Sequence, residues 1–178
     1  EKGYTPEGQY WNGAVWAPTN YMVVKGLEEY GYENLASKVT SRYLGNMAEV
    51  LRTTGTIWEN YAPEHSAGHG VRNMVGWSGD GPIALLIENV LGVRAFAANR
   101  TATWRPRLPG ENGLRNLTVG STHLSLVASP VENGARTLTM TTDAPWTVTV
   151  DTGKGKPQTF RLKKGTTVVE RPAVAEAF

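Results

Sequence analysis

The apolar period of this chain changes once, and that change limits what it can fold into. Up to Gly92 apolar residues recur every three or four positions, whereas beyond Pro109 they recur at every second one. The first spacing lines one face of a helix and the second lines one face of a strand. A chain of 178 residues is long enough for two small cores. The pattern therefore predicts an α+β, multidomain chain: helices over 1–93, a linker over 94–108 and a small all-β domain over 109–178.

In the helical part, Tyr21, Val23, Val24, Leu27 and Tyr30 form one stripe, opened by Pro18 and Thr19 and closed by Gly31. Leu35, Val39, Tyr43, Met47, Val50 and Leu51 form a second and longer one, with Asn34 near its start and Gly55 past its end. The short connection predicts that these two helices pack as an antiparallel hairpin. Asp80 is placed to cap a third helix over Pro82–Leu91, closed by Gly92, in which Ile83, Leu86, Ile87, Val90 and Leu91 leave little polar face. A helix apolar on most sides must be covered on most sides, and three helices cannot do this among themselves. The expected cover is a missing N-terminal part of a longer parent chain or another copy of this chain. The opening Glu1-Lys2-Gly3, without methionine, fits a first residue that is not a translation start.

The second half reads as strands at Leu114–Val119, His123–Val127, Thr137–Thr141, Trp146–Val150, Thr159–Leu162 and Thr166–Val169. Turn signals separate them at Gly120-Ser121, Glu132-Asn133-Gly134, Asp143-Ala144-Pro145 and Asp151-Thr152-Gly153. They predict a small antiparallel β-sandwich. The stretch Arg94–Pro109, with Trp104 and two prolines, reads as the connection or the beginning of a first strand.

Several classes are excluded at this stage. Net charge is +2 with both signs spread along the chain, which gives no basic stripe for nucleic acid or an acidic membrane surface. The longest apolar run, Pro82–Leu91, contains Glu88 and Asn89 and is too short to span a bilayer. The absence of cysteine rules out disulfides and thiolate metal sites. It fits cytoplasm, periplasm or secretion, with the last two favoured. His65 and His69 are four apart, but Ser66-Ala67-Gly68 between them does not read as helix and no third ligand is evident, so neither a metal nor a cofactor is expected.

Aromatic and small polar residues crowd into three segments, Tyr10–Trp16, Thr56–Tyr61 and Gly76–Pro82, which hold four of the six tryptophans. Flat sugar faces stack on indole rings and hydroxyls need short polar partners, so Trp beside Asn, Glu and Tyr suits a saccharide pocket. They are equally readable as core pieces closing loops onto helices. Glu59 tips the balance, because a carboxylate between Trp58 and Tyr61 is costly unless it is hydrogen-bonded or used. A non-catalytic carbohydrate-binding protein is the competing reading, and it requires Trp104 and Trp146 to be exposed and coplanar.

Tyr10-Trp11-Asn12-Gly13-Ala14-Val15-Trp16-Ala17-Pro18-Thr19-Asn20-Tyr21, then Trp58-Glu59-Asn60-Tyr61 and Gly76-Trp77-Ser78, resemble the closing motifs of glycoside hydrolase family 63 and its relatives. Those relatives include trehalase family 37 and the mannosylglycerate-hydrolase-like enzymes. The resemblance implies the last helices of an (α/α)6 toroid, and hydrolysis with inversion by an Asp general acid and a Glu general base. It assigns the base to Glu59 and implies that Trp11, Asn12, Gly13, Trp16, Trp58, Tyr61 and Trp77 line or support the subsite of a carbohydrate substrate. Asn12 stands where these families commonly carry Arg, and the segment with the general acid is absent. The region Gly113–Gly120 resembles the small β-domain that follows the toroid in some bacterial members. Asp80 and Glu64 are the local candidates for a second carboxylate, and their bland readings are a helix cap and a solvated loop acid.

Overall fold

Pro18 and Gly31 bound the first helix as their chemistry requires. In the computed structural model, which describes residues 3–73 and 76–174, α1 covers Ala17–Glu29 with proline in its first turn. Thr19 Oγ1 and Asn20 Nδ2 both donate to the Trp16 carbonyl, at 3.0 and 2.8 Å, which secures the start of the helix to the preceding motif. Helix α2 covers Glu33–Thr54 and ends on Gly55, whose left-handed backbone (φ 71) lets its N–H reach the Leu51 carbonyl at 2.8 Å. Along α2 the buried residues Ala36, Thr40, Tyr43, Met47 and Val50 step by three or four. That face shares a core with Ala17, Val24, Tyr61 and Leu85.

The chain divides by its contacts into two compact units, 1–86 and 87–178. Within the first, a short hairpin of β1 (Trp58–Tyr61) and β2 (Gly68–Arg72) follows α2, and α3 covers Gly76–Leu85. This corrects the third helix. Asp80 lies inside α3 and does not cap it, Pro82 is internal, and Leu86–Val90 continues as a single π-helical turn. The local signal was overridden by packing: a Cβ on Gly81 would lie 3.1 Å from the Ala17 methyl, so glycine there admits α3 close against the start of α1. Ser78, one turn before Pro82, is buried and bonds to the hairpin, which holds the helix upstream of the proline. Ile83 and Leu86 stay exposed, at 58% and 44%.

The second unit has two four-stranded sheets. One runs β10 (Gly165–Pro172), β7 (Ala135–Thr142), β6 (Thr122–Ala128), β5 (Asn112–Val119); the other runs β3 (Val93–Phe96), β4 (Thr101–Trp104), β8 (Trp146–Val150), β9 (Gln158–Leu162). Their buried residues form one core, in which Leu124, Leu126, Leu138 and Met140 of the first sheet join Val93, Trp104, Trp146 and Val148 of the second. The segment 94–108 is therefore not only a linker. Val93, Ala95, Ala102 and Trp104 alternate toward that core from β3 and β4, a hairpin hidden from sequence reading by its shortness and by the arginines and prolines around it. The strand set is also not purely antiparallel, because β4 pairs with β8 in parallel, Thr101 opposite Thr147.

Trp104 and Trp146 are 0% and 2% exposed, so neither offers a face to a sugar. The exposed tryptophan pair that the carbohydrate-binding alternative required is absent. Arg136 is buried too, donating to the carbonyls of Ser129, Pro106 and Gly110, and its burial lowers its pKa from the usual guanidinium value. Three carbonyls from two chain segments thus take the place of a carboxylate partner.

Candidate active site

Backbone bonds join the first two aromatic segments, and the Ser78 hydroxyl joins the third to the second. Val15 and Tyr61 exchange both hydrogen bonds, at 2.8 and 3.0 Å, so the strand carrying Glu59 is laid beside the end of the first motif. Upstream of Val15 the chain makes a tight turn in which the Asn12 N–H donates to Gln9 O at 2.8 Å and Tyr10 adopts φ 48. Gly13 follows at φ 103, and a side chain there would strike the Tyr4 ring at 2.7 Å. Only glycine fits this corner.

The turn builds an aromatic stack. Trp11 lies on Trp16 at 4.0 Å with planes 12° apart, Tyr10 meets Trp16 edge-on at 5.0 Å, and Trp77 of α3 approaches Trp16 at 6.2 Å. Trp16, 2% exposed with its indole N–H on the Tyr10 carbonyl, is the hub. Trp11 and Trp77 are 60% and 44% exposed, and they supply the open indole faces. Trp16 and Tyr61 are buried, so within this chain they support the surface and do not line it. Asn12 is exposed at the turn.

Glu59 sits on β1 of the hairpin. Its backbone carbonyl accepts from Ser78 Oγ at 2.8 Å, joining β1 to α3. Its carboxylate crosses to the opposite strand, accepting from the Val71 N–H at 3.2 Å. Gly70 makes room for it: a Cβ there would lie 2.4 Å from Glu59 Oε2. A backbone N–H donating to an ionised carboxylate is one of the stronger neutral-to-charged bonds, and it fixes the direction of the acid.

Trp58 is held with equal specificity. Its indole N–H donates to Thr54 Oγ1 at 3.1 Å, its backbone N–H donates to Tyr61 Oη at 3.1 Å, and the Arg72 guanidinium lies 5.3 Å over its ring. Gly68 leaves space for the indole, since a Cβ there would fall 2.2 Å from two ring carbons. Asn60 and His69 are paired across the hairpin; Asn60 is 1% exposed, and the Asn60 amide atoms and His69 Nε2 are buried without a hydrogen-bond partner among the described residues. Sequence reading missed the roles of Gly68 and Gly70, and quoted Ser78 within the Gly76-Trp77-Ser78 motif without a role. The Gly-His-Gly alternation was the one visible signal of the two glycines.

The other carboxylates are less constrained. Asp80 is exposed on α3, and Glu64 accepts from the Tyr4 hydroxyl at 2.5 Å, a bond that raises the Tyr4 phenol above its usual value. Among the described residues no three His, Cys, Asp or Glu side chains are gathered as a metal site would need. No helix of the described residues is long and apolar enough to cross a membrane.

In this unit the polar and aromatic groups lie on the hairpin, on the turn before α1 and on the first turn of α3. The family model of the glycosyl hydrolase family 63 C-terminal domain matches residues 2–87, so this stretch is a family 63-like C-terminal part. An uncharacterized protein of Borreliella burgdorferi is 24% identical over 147 residues, covering 75% of this chain and 31% of that protein. Alpha-glucosidase 2 of Arabidopsis thaliana is 34% identical over 86 residues, 42% of this chain and 11% of its own length. Mannosylglycerate hydrolase MGH1 of Selaginella moellendorffii is 39% identical over 62 residues, 35% of this chain and 12% of its own length. The chain thus spans about a third of the first and about a tenth of the other two. No solved structure gives a significant match.

Proposed function

We propose that this chain is the C-terminal portion of an inverting glycoside hydrolase acting on α-glycosidic bonds of an oligosaccharide or disaccharide, with Glu59 as general base. The observation that carries the reading is the seating of the Glu59 carboxylate on Gly70 and the Val71 N–H, on a strand that the Val15–Tyr61 and Ser78–Glu59 bonds join to the segments carrying Trp11, Trp16 and Trp77. In inversion one carboxylic acid protonates the leaving oxygen while a carboxylate about 6.5 to 9.5 Å away takes a proton from the attacking water. Glu59 performs the second step; its partner bond from Val71 uses one oxygen and leaves the other for water. Trp11 and Trp77 present indole faces to the sugar, with Trp58 and Tyr61 fixing the strand behind the base. The similarity to alpha-glucosidase 2 and a mannosylglycerate hydrolase supports the substrate class.

The general acid comes from a preceding helix loop, and α1, α2 and α3 are the last helices of an (α/α)6 toroid. The two facing sheets form a β-sandwich appended to it. On this reading the exposed Ile83 and Leu86 are covered by the rest of the enzyme. Glu59→Gln in the full-length enzyme is the test. Loss of a general base costs about 10²–10⁴-fold in turnover, and near-normal turnover by a folded Glu59→Gln enzyme would overturn the assignment. The 178-residue chain alone is expected to be inactive on α-glucosides, α-mannosides and trehalose, and robust Glu59-dependent turnover by it would place the general acid within this chain, with Asp80 the first residue to mutate.

A further inference from the structure

The charge of the chain is divided unevenly between its two units. Residues 87–178 carry twelve Lys and Arg against seven Asp and Glu, a net +5, while residues 1–86 carry six against nine, a net −3; together they make the chain's +2. Part of the β-unit's excess is concentrated. A hollow of about 250 Å³ lies where edge strands β9 and β10 flank the loop that follows β8, and its walls include Lys154, Lys156 and Arg171. Val150, Phe160 and Pro172 supply its apolar part, and no carboxylate lines it among the described residues.

The loop's own acid, Asp151, is turned elsewhere, and Glu170, next to Arg171 in sequence, is exposed and outside the lining. Asp151 accepts from Arg107 at 2.9 Å and from the Gly153 N–H at 2.9 Å, and it lies 3.9 Å from Arg105. Arg171 is held with its guanidinium 5.4 Å over the Phe160 ring, which fixes the orientation of the fork. Its Nε is buried without a hydrogen-bond partner among the described residues. An inward-pointing cation on an edge strand also discourages strand-to-strand aggregation. That role accounts for Arg171, but not for two lysines lining the same hollow while the loop's own aspartate is occupied.

We propose that this hollow binds a phosphate group, free or carried on a small sugar. A planar guanidinium and two ammonium groups match an oxyanion of two charges, and arginine in particular suits the paired oxygens of phosphate. Phe160, Val150 and Pro172 lie where an ester's carbon skeleton would rest.

The test uses the 178-residue chain and backbone amide shifts, with inorganic phosphate titrated at ionic strength held constant by chloride. Saturable shifts at Gly153, Gly155 and Arg171 are expected. Glucose 6-phosphate forms a second arm: tighter binding than phosphate identifies a sugar-borne group, equal binding a free one. Lys154→Gln/Lys156→Gln and Arg171→Gln should each weaken binding at least tenfold, whereas Lys163→Gln/Lys164→Gln, at the β9–β10 turn and outside the lining, should not. The exposed lysine pair decides the matter if Arg171→Gln does not fold. Absence of saturation, identical shifts with chloride alone, or equal weakening by the Lys163 and Lys164 pair would overturn the proposal, the last by reducing the effect to a diffuse positive field.

Discussion

Gly70→Ala separates backbone strain from eviction of the proposed base. Gly70 has φ 75, and Gly55 provides an internal control at φ 71, with nothing within 4 Å of where a Cβ would stand. Alanine in either place incurs about 1–2 kcal/mol for a left-handed backbone. At Gly70 the methyl also lies 2.4 Å from Glu59 Oε2, 2.8 Å from Asn60 Nδ2 and 3.1 Å from Glu59 Cβ, so the carboxylate must leave the Val71 N–H. Hydrogen bonds to charged groups contribute about 1.5–3 kcal/mol when well buried. Glu59 is only half-buried, and about 1 kcal/mol is the expected extra loss. For a chain of this size that is a further fall in Tm of about 2–4 °C relative to Gly55→Ala, measurable by calorimetry of the two variants. In the full-length enzyme, Gly70→Ala should lower kcat by about 10²-fold through misplacement of the base, with KM little changed, and should add nothing to the loss already caused by Glu59→Gln. Equal kcat for the Gly70→Ala and Gly55→Ala enzymes would refute the reasoning, because strain alone would then describe both.

Two further predictions concern isolated polar groups. Tyr43 is 5% exposed with its hydroxyl unpartnered among the described residues, and burial followed by the proximity of Tyr61 pushes its phenol well above the usual value. Tyr43→Phe should therefore be neutral or stabilise by up to about 1 kcal/mol, read as a urea midpoint shifted upward at constant slope; a loss of stability would mean that the hydroxyl has a partner. Asp143 is held below the ordinary carboxylate value of 3.8, first by the His123 backbone N–H at 2.9 Å and then by the imidazole at 2.8 Å. Because the folded-state value is the lower one, its contribution is fully present above the ordinary value and is lost as pH falls through the depressed one. Carbon-detected titration should find Asp143 below the ordinary carboxylate value, and His123→Ala should move it only part of the way back, since the backbone donor remains.

What the sequence revealed followed the strength of its periodicities. Six of the β-unit strands were legible because Leu124, Leu126, Leu138, Met140 and Val148 alternate between clear turn signals. Helices α1 and α2 were legible from their stripes and terminal glycines. The hairpin β3–β4 was not, because four-residue strands offer only two inward positions each and Trp104 lies next to an Arg- and Pro-rich run. The start of α3 was misplaced because Asp80-Gly81-Pro82 is a sound local capping signal, and the Gly81–Ala17 approach that overrides it is written in two distant segments. At the candidate site the aromatic cluster and Glu59 were visible as residue types. The glycines that seat them were not, since what they accommodate comes from the opposite strand. Charge scattered along the chain likewise concealed the division into an acidic helical unit and a basic β-unit.

The parallel pairing of β4 with β8 sets an order for assembly. β5, β6 and β7 join neighbours through short turns and can zip as soon as each is made. The β3–β4 hairpin cannot extend its sheet until β8 has been synthesised, because Thr101 pairs with Thr147 and everything between them belongs largely to the other sheet. Closing so long a loop before its contacts form is slow. During synthesis β4 therefore waits with an open edge, bearing Trp104, while the opposing sheet forms. Truncation before β8 should leave that edge permanently unpaired, and chains ending near residue 145 are where aggregation in the cell is expected to begin.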